Sequence, residues 1–234
     1  MDNCDNRCYN FNRTIFFIIK GVALIMDNSV KAVMDKRIEK VISNLEKRNM
    51  KGYHVRTRDE LYDLLAELIP GGAKVTNGGS MTLDGLGVFD WLCGRDDVTY
   101  FDRENDDRRK CMVAAYDCDV YLTGTNAVTE DGELYNVDGN GNRVSAMIYG
   151  PESVVVVVGA NKIVADIDAA ITRVKKIAAP ANTVRLSCDT PCAKTGECMN
   201  CNSPARICCN FVVMSNQRVK DRIKVIIMDE TLGY

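Results

Sequence analysis

Between residues 34 and 50 the apolar side chains Ile38, Val41, Ile42 and Leu45 recur at helical intervals while charges fill the opposite face, which predicts an amphipathic helix. The run GYHVR after it reads as extended. Thr57 then opens a second helical pattern, with Glu60 three residues on as in a capping box and Pro70-Gly71-Gly72 as the stop. A short strand runs into Gly78-Gly79-Ser80 and then into a helix carrying Leu83, Leu86, Val88, Phe89 and Leu92. Further along, VTYFD predicts a strand, NDDRRKCMVAAYDC a helix, DVYLTGTNAVT strand and loop, ELYNVDG strand and turn, and NRVSAMIYG a strand or short helix.

The five successive valines Val154 to Val158 have no polar alternation. Such a run predicts a central strand of a parallel sheet, covered on both faces. A loop and a helix follow, with Ile167, Ala170, Ile171 and Val174 on one face and Pro180 as the expected stop. NFVVMS and RIKVIIMD predict two late strands. Strands and helices broadly alternate without a fixed period, which predicts an α/β fold with a mostly parallel central sheet and a cysteine-rich C-terminal appendage.

With 234 residues, 46% of them hydrophobic and 26% charged, the chain can bury a sizeable core and falls outside the disordered class. A net charge of -2 with scattered basic residues argues against nucleic acid as a partner and leaves small anionic ligands held by local donors. The apolar stretch from Phe11 to Met26 is interrupted by Lys20 and followed by no small-residue cleavage site, so neither a membrane span nor a signal peptide is expected. Residues 1–33 are expected to be an extension outside the fold, preceding a natural start at Met26 or Met34, and residues 34–234 to form the α/β domain.

Eleven cysteines, unevenly clustered, fit a reducing cytoplasm better than a disulfide framework. Cys93, Cys111 and Cys118 are expected in the core as small apolar side chains. Cys192, Cys198, Cys201 and Cys208 follow the spacing C-x5-C-x2-C-x6-C, four soft donors within 17 residues. Prolines 191 and 204 and Gly196 let a short loop wrap around an ion. A single C-x2-C between two lone cysteines favours an iron-sulfur cluster of the 4Fe-4S type over zinc, with free or redox-active thiols as the third outcome. Cys188 and Cys209 flank the run as substitute ligands.

Two loops have the composition of an anion site. Gly78, Gly79 and Ser80 occupy a strand-to-helix turn, where free amides favour phosphate or carboxylate, although a plain capped turn explains them equally well. Asn136, Asp138, Asn140, Asn142 and Arg143 crowd amides, a carboxylate and a guanidinium around two glycines, beyond what a hairpin turn requires. Lys162 adds an amine just past the valine strand, at the sheet edge where open α/β folds place ligands. Glu133 and Asp138 are the carboxylates available for acid, base or nucleophilic chemistry. His54, the only histidine, falls in the lead-in strand, which argues against a histidine-centred triad.

The segments GGSMTLDGLGV, DVYLTGTNAVTEDGELYNVDGNGNRVSAMIYGP, VVVVVGANKIV and the tail from AAPAN through PCAKTGECMNCNSPARIC closely resemble the LUD-domain (DUF162-type) family of lactate-utilisation proteins. The resemblance covers about Met34 to Tyr234. It implies a three-layer α/β sandwich similar to the sugar-phosphate isomerase and CoA-transferase group, with a ligand pocket over the strand ends. It also implies a place in lactate or related organic-acid oxidation, with a small anionic metabolite as ligand and oxidoreductase subunits as partners. The alternative is a non-catalytic sensor or assembly module that binds a nucleotide, CoA-like molecule or sugar phosphate and holds a structural zinc. Self-association as a homo-oligomer is compatible with either.

Overall fold

The computed structural model describes residues 27–103 and 105–234, so the apolar stretch from Phe11 to Met26 lies outside the described residues. Helix α1 (Asn28–Lys47) leads through β1 (Lys51–Val55), α2 (Arg58–Leu68) and β2 (Lys74–Asn77) to the short helices α3 (Met81–Gly85) and α4 (Val88–Cys93). Next come β3 (Thr99–Phe101), α5 (Arg108–Asp117), β4 (Val120–Thr123), β5 (Ala127–Thr129), β6 (Leu134–Asp138), α6 (Asn142–Ile148), β7 (Ser153–Gly159) and β8 (Ile163–Val164). The chain ends with α7 (Ile167–Arg173), α8 (Ala179–Arg185), α9 (Pro191–Thr195), β9 (Asn210–Met214) and β10 (Ile223–Met228).

Six strands form a parallel sheet in the order β1-β10-β7-β4-β2-β3. The valine strand is interior, as its composition requires: Val156 faces Val225 of β10 on one side and Thr123 of β4 on the other. Period-two alternation divides its side chains between two cores. Val154, Val156 and Val158 pack with Ile38, Val41 and Leu45 of α1. Val155 and Val157 pack with Leu61 and Leu65 of α2 and with Leu83 and Leu92. All five valines are fully buried, each contributing about 1.5–3 kcal/mol of transfer free energy.

A second, four-stranded sheet in the order β8-β5-β6-β9 was not expected from the pattern, because its strands are short and their partners are distant in sequence. Its inner face, with Val128, Leu134 and Met214, joins the core under α1 and β7. Its outer face, with Ala127 and Tyr135, is covered by Ala170, Val174 and Ala178. Helices therefore cover the six-stranded sheet on one side, and α1, α6 and the second sheet cover it on the other.

Several local expectations need correction. Helix α1 begins at Asn28, capped by Asp27 Oδ1 accepting from Ser29 N at 2.8 Å, so a cap sets its start ahead of the buried stripe. The segment NRVSAMI resolves as helix. Pro180 does not end its helix: residues 174–178 form a widened π turn in which Ala179 N bonds Val174 O, and the chain continues helically to Arg185. A proline ring normally collides with the carbonyl four residues back, and the widened turn has already released that carbonyl. Cys111 and Cys118 are buried, but Cys93 is exposed, because the short α4 ends there and turns it away from Leu92 and the core.

Gly132 closes the β5–β6 turn at φ +84°, and a Cβ there would lie 2.6 Å from Leu45 N and 2.7 Å from Asn44 C. Both obstacles are backbone of α1, which cannot yield. Gly132→Ala is expected to destabilise the fold by about 3 kcal/mol, read as a lower urea midpoint at unchanged slope. A midpoint equal to wild type would show that this turn does not anchor α1.

Candidate functional site

In a parallel sheet the loops that follow the strands gather at one edge. Here the turns after β2, β4 and β7 meet there, joined by the turn after β6. Gly78 N donates to Leu122 O at 2.8 Å, tying the glycine turn to β4. A Cβ on Gly78 would stand 2.7 Å from the Tyr121 hydroxyl, 2.9 Å from Arg143 Cγ and 3.0 Å from Thr123 Oγ1. Only glycine lets the three elements approach this closely. Ser80 Oγ accepts from Leu83 N at 3.3 Å as the cap of α3. Because α3 has five residues, the turn owes little to a helix dipole.

Arg143 is the tie of the second loop. Its side chain is 13% exposed and donates to Asn136 Oδ1 at 2.7 Å, Gly124 O at 3.0 Å, Val137 O at 3.1 Å and Asn126 Oδ1 at 3.2 Å. Its Nε stands 3.5 Å from Asp138 Oδ2. Asp138 also accepts from Gly141 N at 3.2 Å and Val144 N at 3.3 Å, so it caps α6. These bonds hold the loop in shape and leave Arg143 and Asp138 largely occupied. Asn136 is fully buried with its Nδ2 unpartnered, a donor unspent at this junction. Asn140 is exposed.

Lys162 follows β7 and is 3% exposed. Its Nζ donates to Thr82 Oγ1 at 2.9 Å. Burial, and after it the charges of Arg173 and Arg143, push the amine down to about 7. The C-terminal tail lies over it: Leu232 N donates to Asn161 Oδ1 at 3.1 Å, and a Cβ on Gly233 would be 3.4 Å from Lys162 Nζ. Arg173, 8% exposed, donates to Asn126 O at 2.7 Å and Asn161 O at 3.3 Å, linking two of the turns. Its signal in the sequence is a charge beside Ala170 and Val174 on an otherwise apolar helix face.

The structure does not bring Glu133 to this edge. Glu133 precedes β6 and Asp138 ends it, so the two lie roughly 17 Å apart along an extended strand. Glu133 instead faces Arg48 at 3.7 Å. His54 also stands elsewhere, with Nε2 2.5 Å from Asp229 Oδ1. Arg56 balances that pair, reaching Asp35 at 3.3 Å and Asp229 at 3.9 Å.

Between β2, β4 and α5 lies a cavity of about 210 Å³, walled by Asn77, Arg103, Tyr121, Asn142 and the apolar side of α5. Arg103 and Tyr121 escaped the sequence pattern because nothing local distinguishes them. A wider groove of about 450 Å³ runs outside the cysteine loop. Its charged residues Asp189 and Lys194 pair at 2.7 Å, so it offers a ligand little uncompensated charge.

The cysteine loop packs against the outer face of the second sheet, with Cys208 on the cluster of Tyr135, Val174 and Ala178. Burial pushes the Cys208 thiol up to about 11, and Cys198, Cys192 and Cys201 push it further in the same direction. The other three thiols of the C-x5-C-x2-C-x6-C run thus lie within electrostatic reach of Cys208. Thr183 and Thr190 hydroxyls each stand 3.4 Å from Cys192 Sγ; Thr183 already donates to Pro180 O at 2.8 Å, which leaves Thr190 placed to donate to a thiolate. Arg206 ties the loop through Cys201 O at 2.6 Å and Cys208 O at 2.7 Å. Cys209 N donates to Asp138 O at 3.1 Å, fastening the loop to the second ligand turn. The Cys188 and Cys209 thiols point instead to the carbonyls of Leu186 and Arg206.

Among the described residues no helix is long and apolar enough to cross a membrane. A DUF162 family protein from Deinococcus radiodurans, solved by crystallography, aligns with a TM-score of 0.50 at 16% identity over 85% of this chain and 98% of its own. Ribose 5-phosphate isomerase from Plasmodium falciparum aligns with a TM-score of 0.30 at 13% identity over 46% of this chain and 52% of its own. eIF2B beta from Chaetomium thermophilum aligns at 0.32 and 15% over 59% and 47%. At these identities the likeness concerns the fold alone, and it rests on the first structure. No curated protein shows significant sequence similarity to the chain. The LUD domain profile matches residues 38–228, from the buried stripe of α1 to the last residue of β10, and the chain belongs to the LUD domain family.

Proposed function

We propose that this LUD-domain protein serves lactate or related organic-acid oxidation, binding a small anionic metabolite at the strand-end edge and a 4Fe-4S cluster on Cys192, Cys198, Cys201 and Cys208. The observation that carries this reading is that Cys192, Cys198 and Cys201 lie within electrostatic reach of Cys208, on a loop fastened to the Asp138 turn. A single C-x2-C between two lone cysteines supports a cluster over a single zinc ion, whose structural sites more often use two close pairs. Such a cluster supplies one-electron transfer when bound, and oxidoreductase subunits are the partners that chemistry calls for. Lys162, uncharged in part at neutral pH, is the group best suited to chemistry on the metabolite, with Asp138 positioning the turn that faces it.

Protein purified without oxygen is expected to be brown, with about four iron and four acid-labile sulfide per chain. Colourless protein carrying one zinc would overturn the cluster. It would favour a non-catalytic binding module, a reading supported by the engagement of Asp138 in capping and by the pairing of Glu133 with Arg48.

A further inference from the structure

The cavity between β2, β4 and α5 has one cationic wall and no acidic one. Arg103 is half-buried, and among the described residues its guanidinium makes no hydrogen bond or ion pair. Three carboxylates near it in the chain bond other groups. Asp102 Oδ2 accepts from Asn105, Asp106 Oδ2 from Asp102 N, and Asp107 Oδ1 from Lys110 N, which caps α5. The guanidinium rests on the glycine turn, where a Cβ on Gly79 would lie 3.1 Å from Arg103 Nη1.

Tyr121 supplies a second polar group to the same space. Its side chain is 2% exposed, yet among the described residues its hydroxyl has no hydrogen-bond partner, and the missing side chain of Gly78 leaves that hydroxyl uncovered. Burial pushes the phenol well above its ordinary range, so it remains a donor at all physiological pH. Asn77 and Asn142 add amides at the rim, and Met112 and Ala115 form an apolar floor. Among the described residues, a guanidinium without a hydrogen-bond or ion-pair partner, a phenol without an acceptor and an apolar floor in one cavity are the complement of a small organic oxyanion.

We propose that this cavity seats the oxyanion head, carboxylate or phosphate, of a metabolite of a few carbons, with Arg103 as its counter-ion and the Tyr121 hydroxyl as a second donor. The proposal rests on the small-anion reading above and places the anchor on the α5 side of the glycine turn, away from Lys162. Size selects the ligand class. At about 210 Å³ the cavity falls below the roughly 300 Å³ at which sites for drug-sized ligands begin, so a whole nucleotide or CoA does not fit inside.

Methyl-labelled methionine in the full chain, purified anaerobically, reports both sides of the turn. Met112 lines the cavity, and Met81 adjoins Thr82 and hence Lys162. Propionate and inorganic phosphate are titrated separately to about 50 mM, since so few atoms support only millimolar binding. The expected result is a saturable shift of the Met112 methyl, weakened at least about tenfold in Arg103→Gln, partly restored in Arg103→Lys, and weakened less in Lys162→Met. A response to propionate alone assigns a carboxylate head, and a response to phosphate alone a phosphate head; either supports the proposal. A shift at Met81 that Lys162→Met abolishes and Arg103→Gln spares overturns the proposal while leaving the small-anion reading in place. Silence at both methyls with both probes removes both.

Discussion

Lys162→Met is expected to stabilise the protein at pH 6 by about 2–4 kcal/mol, with the advantage fading as the pH approaches 10. In the folded state the amine is held down to about 7, against an ordinary lysine value of 10.5. Below pH 7 it is protonated in both states, and the fold bears the full cost of an ammonium buried beside Arg173 and Arg143. Between about 7 and 10.5 the unfolded chain binds a proton that the native state lacks, so wild-type stability rises with pH by on the order of 1 kcal/mol per unit from this residue. Above that window neither state carries the charge, and the remaining difference reflects the donor lost to Thr82 Oγ1. Urea denaturation of both proteins at pH 6 and 9.5 measures the change in the gap, cancelling titrations they share. A gap independent of pH would mean that the amine stays charged in the fold and is unsuited to the chemistry proposed for it.

Cys201→Ser should abolish the proposed metal centre and release the loop around it while leaving the six-stranded sheet intact. The hydroxyl is a poor ligand at neutral pH, and three thiols leave one corner of a cluster open to water. Apart from such a centre, residues 188–209 are held by a few ties, Arg206 to Cys201 O and Cys208 O and Cys209 N to Asp138 O, with a helix α9 of only five residues; of the four proposed ligands only Cys192 is buried. Metal binding can supply on the order of 10 kcal/mol to a small site of this kind. Hydrogen exchange of amides 190–208 is therefore expected to accelerate on the order of 100-fold in Cys201→Ser, with exchange in β7 and β10 unchanged. Cys111→Ser, altering a buried thiol outside the loop, should keep the full metal content. Retention of iron or zinc and of amide protection in Cys201→Ser would remove Cys201 from the ligand set.

How much of this was legible beforehand differs between the sheet and the site. The interior place of the valine strand follows from composition, because a run without a polar face is stable only when covered twice. The cysteine set was equally local, since ligand spacing within 17 residues constrains which sulfurs can meet. The second sheet was not visible: β8 has two residues, and β6 pairs with β9 across more than seventy positions. Glu133 and Asp138 looked like neighbours in the sequence, but an extended strand carries them to opposite ends. Arg103 and Tyr121 looked ordinary, and only the parallel pairing of β2 with β3 and β4 sets both beside the glycine turn.

By itself the sequence determined the α/β class, the central strand and the glycine turns, since each depends on forces acting over a few residues: burial and turn chemistry. Tertiary structure alone decided which turns share an edge, that Arg143 and Asp138 bind each other and their own loop, that Lys162 lies buried within reach of the charges of Arg173 and Arg143, and that Arg103 lines a cavity with the Tyr121 hydroxyl. Those outcomes depend on strand order and register, which bring together groups dozens of residues apart, and on the loss of water around them, which makes an unpaired charge or an unspent donor count.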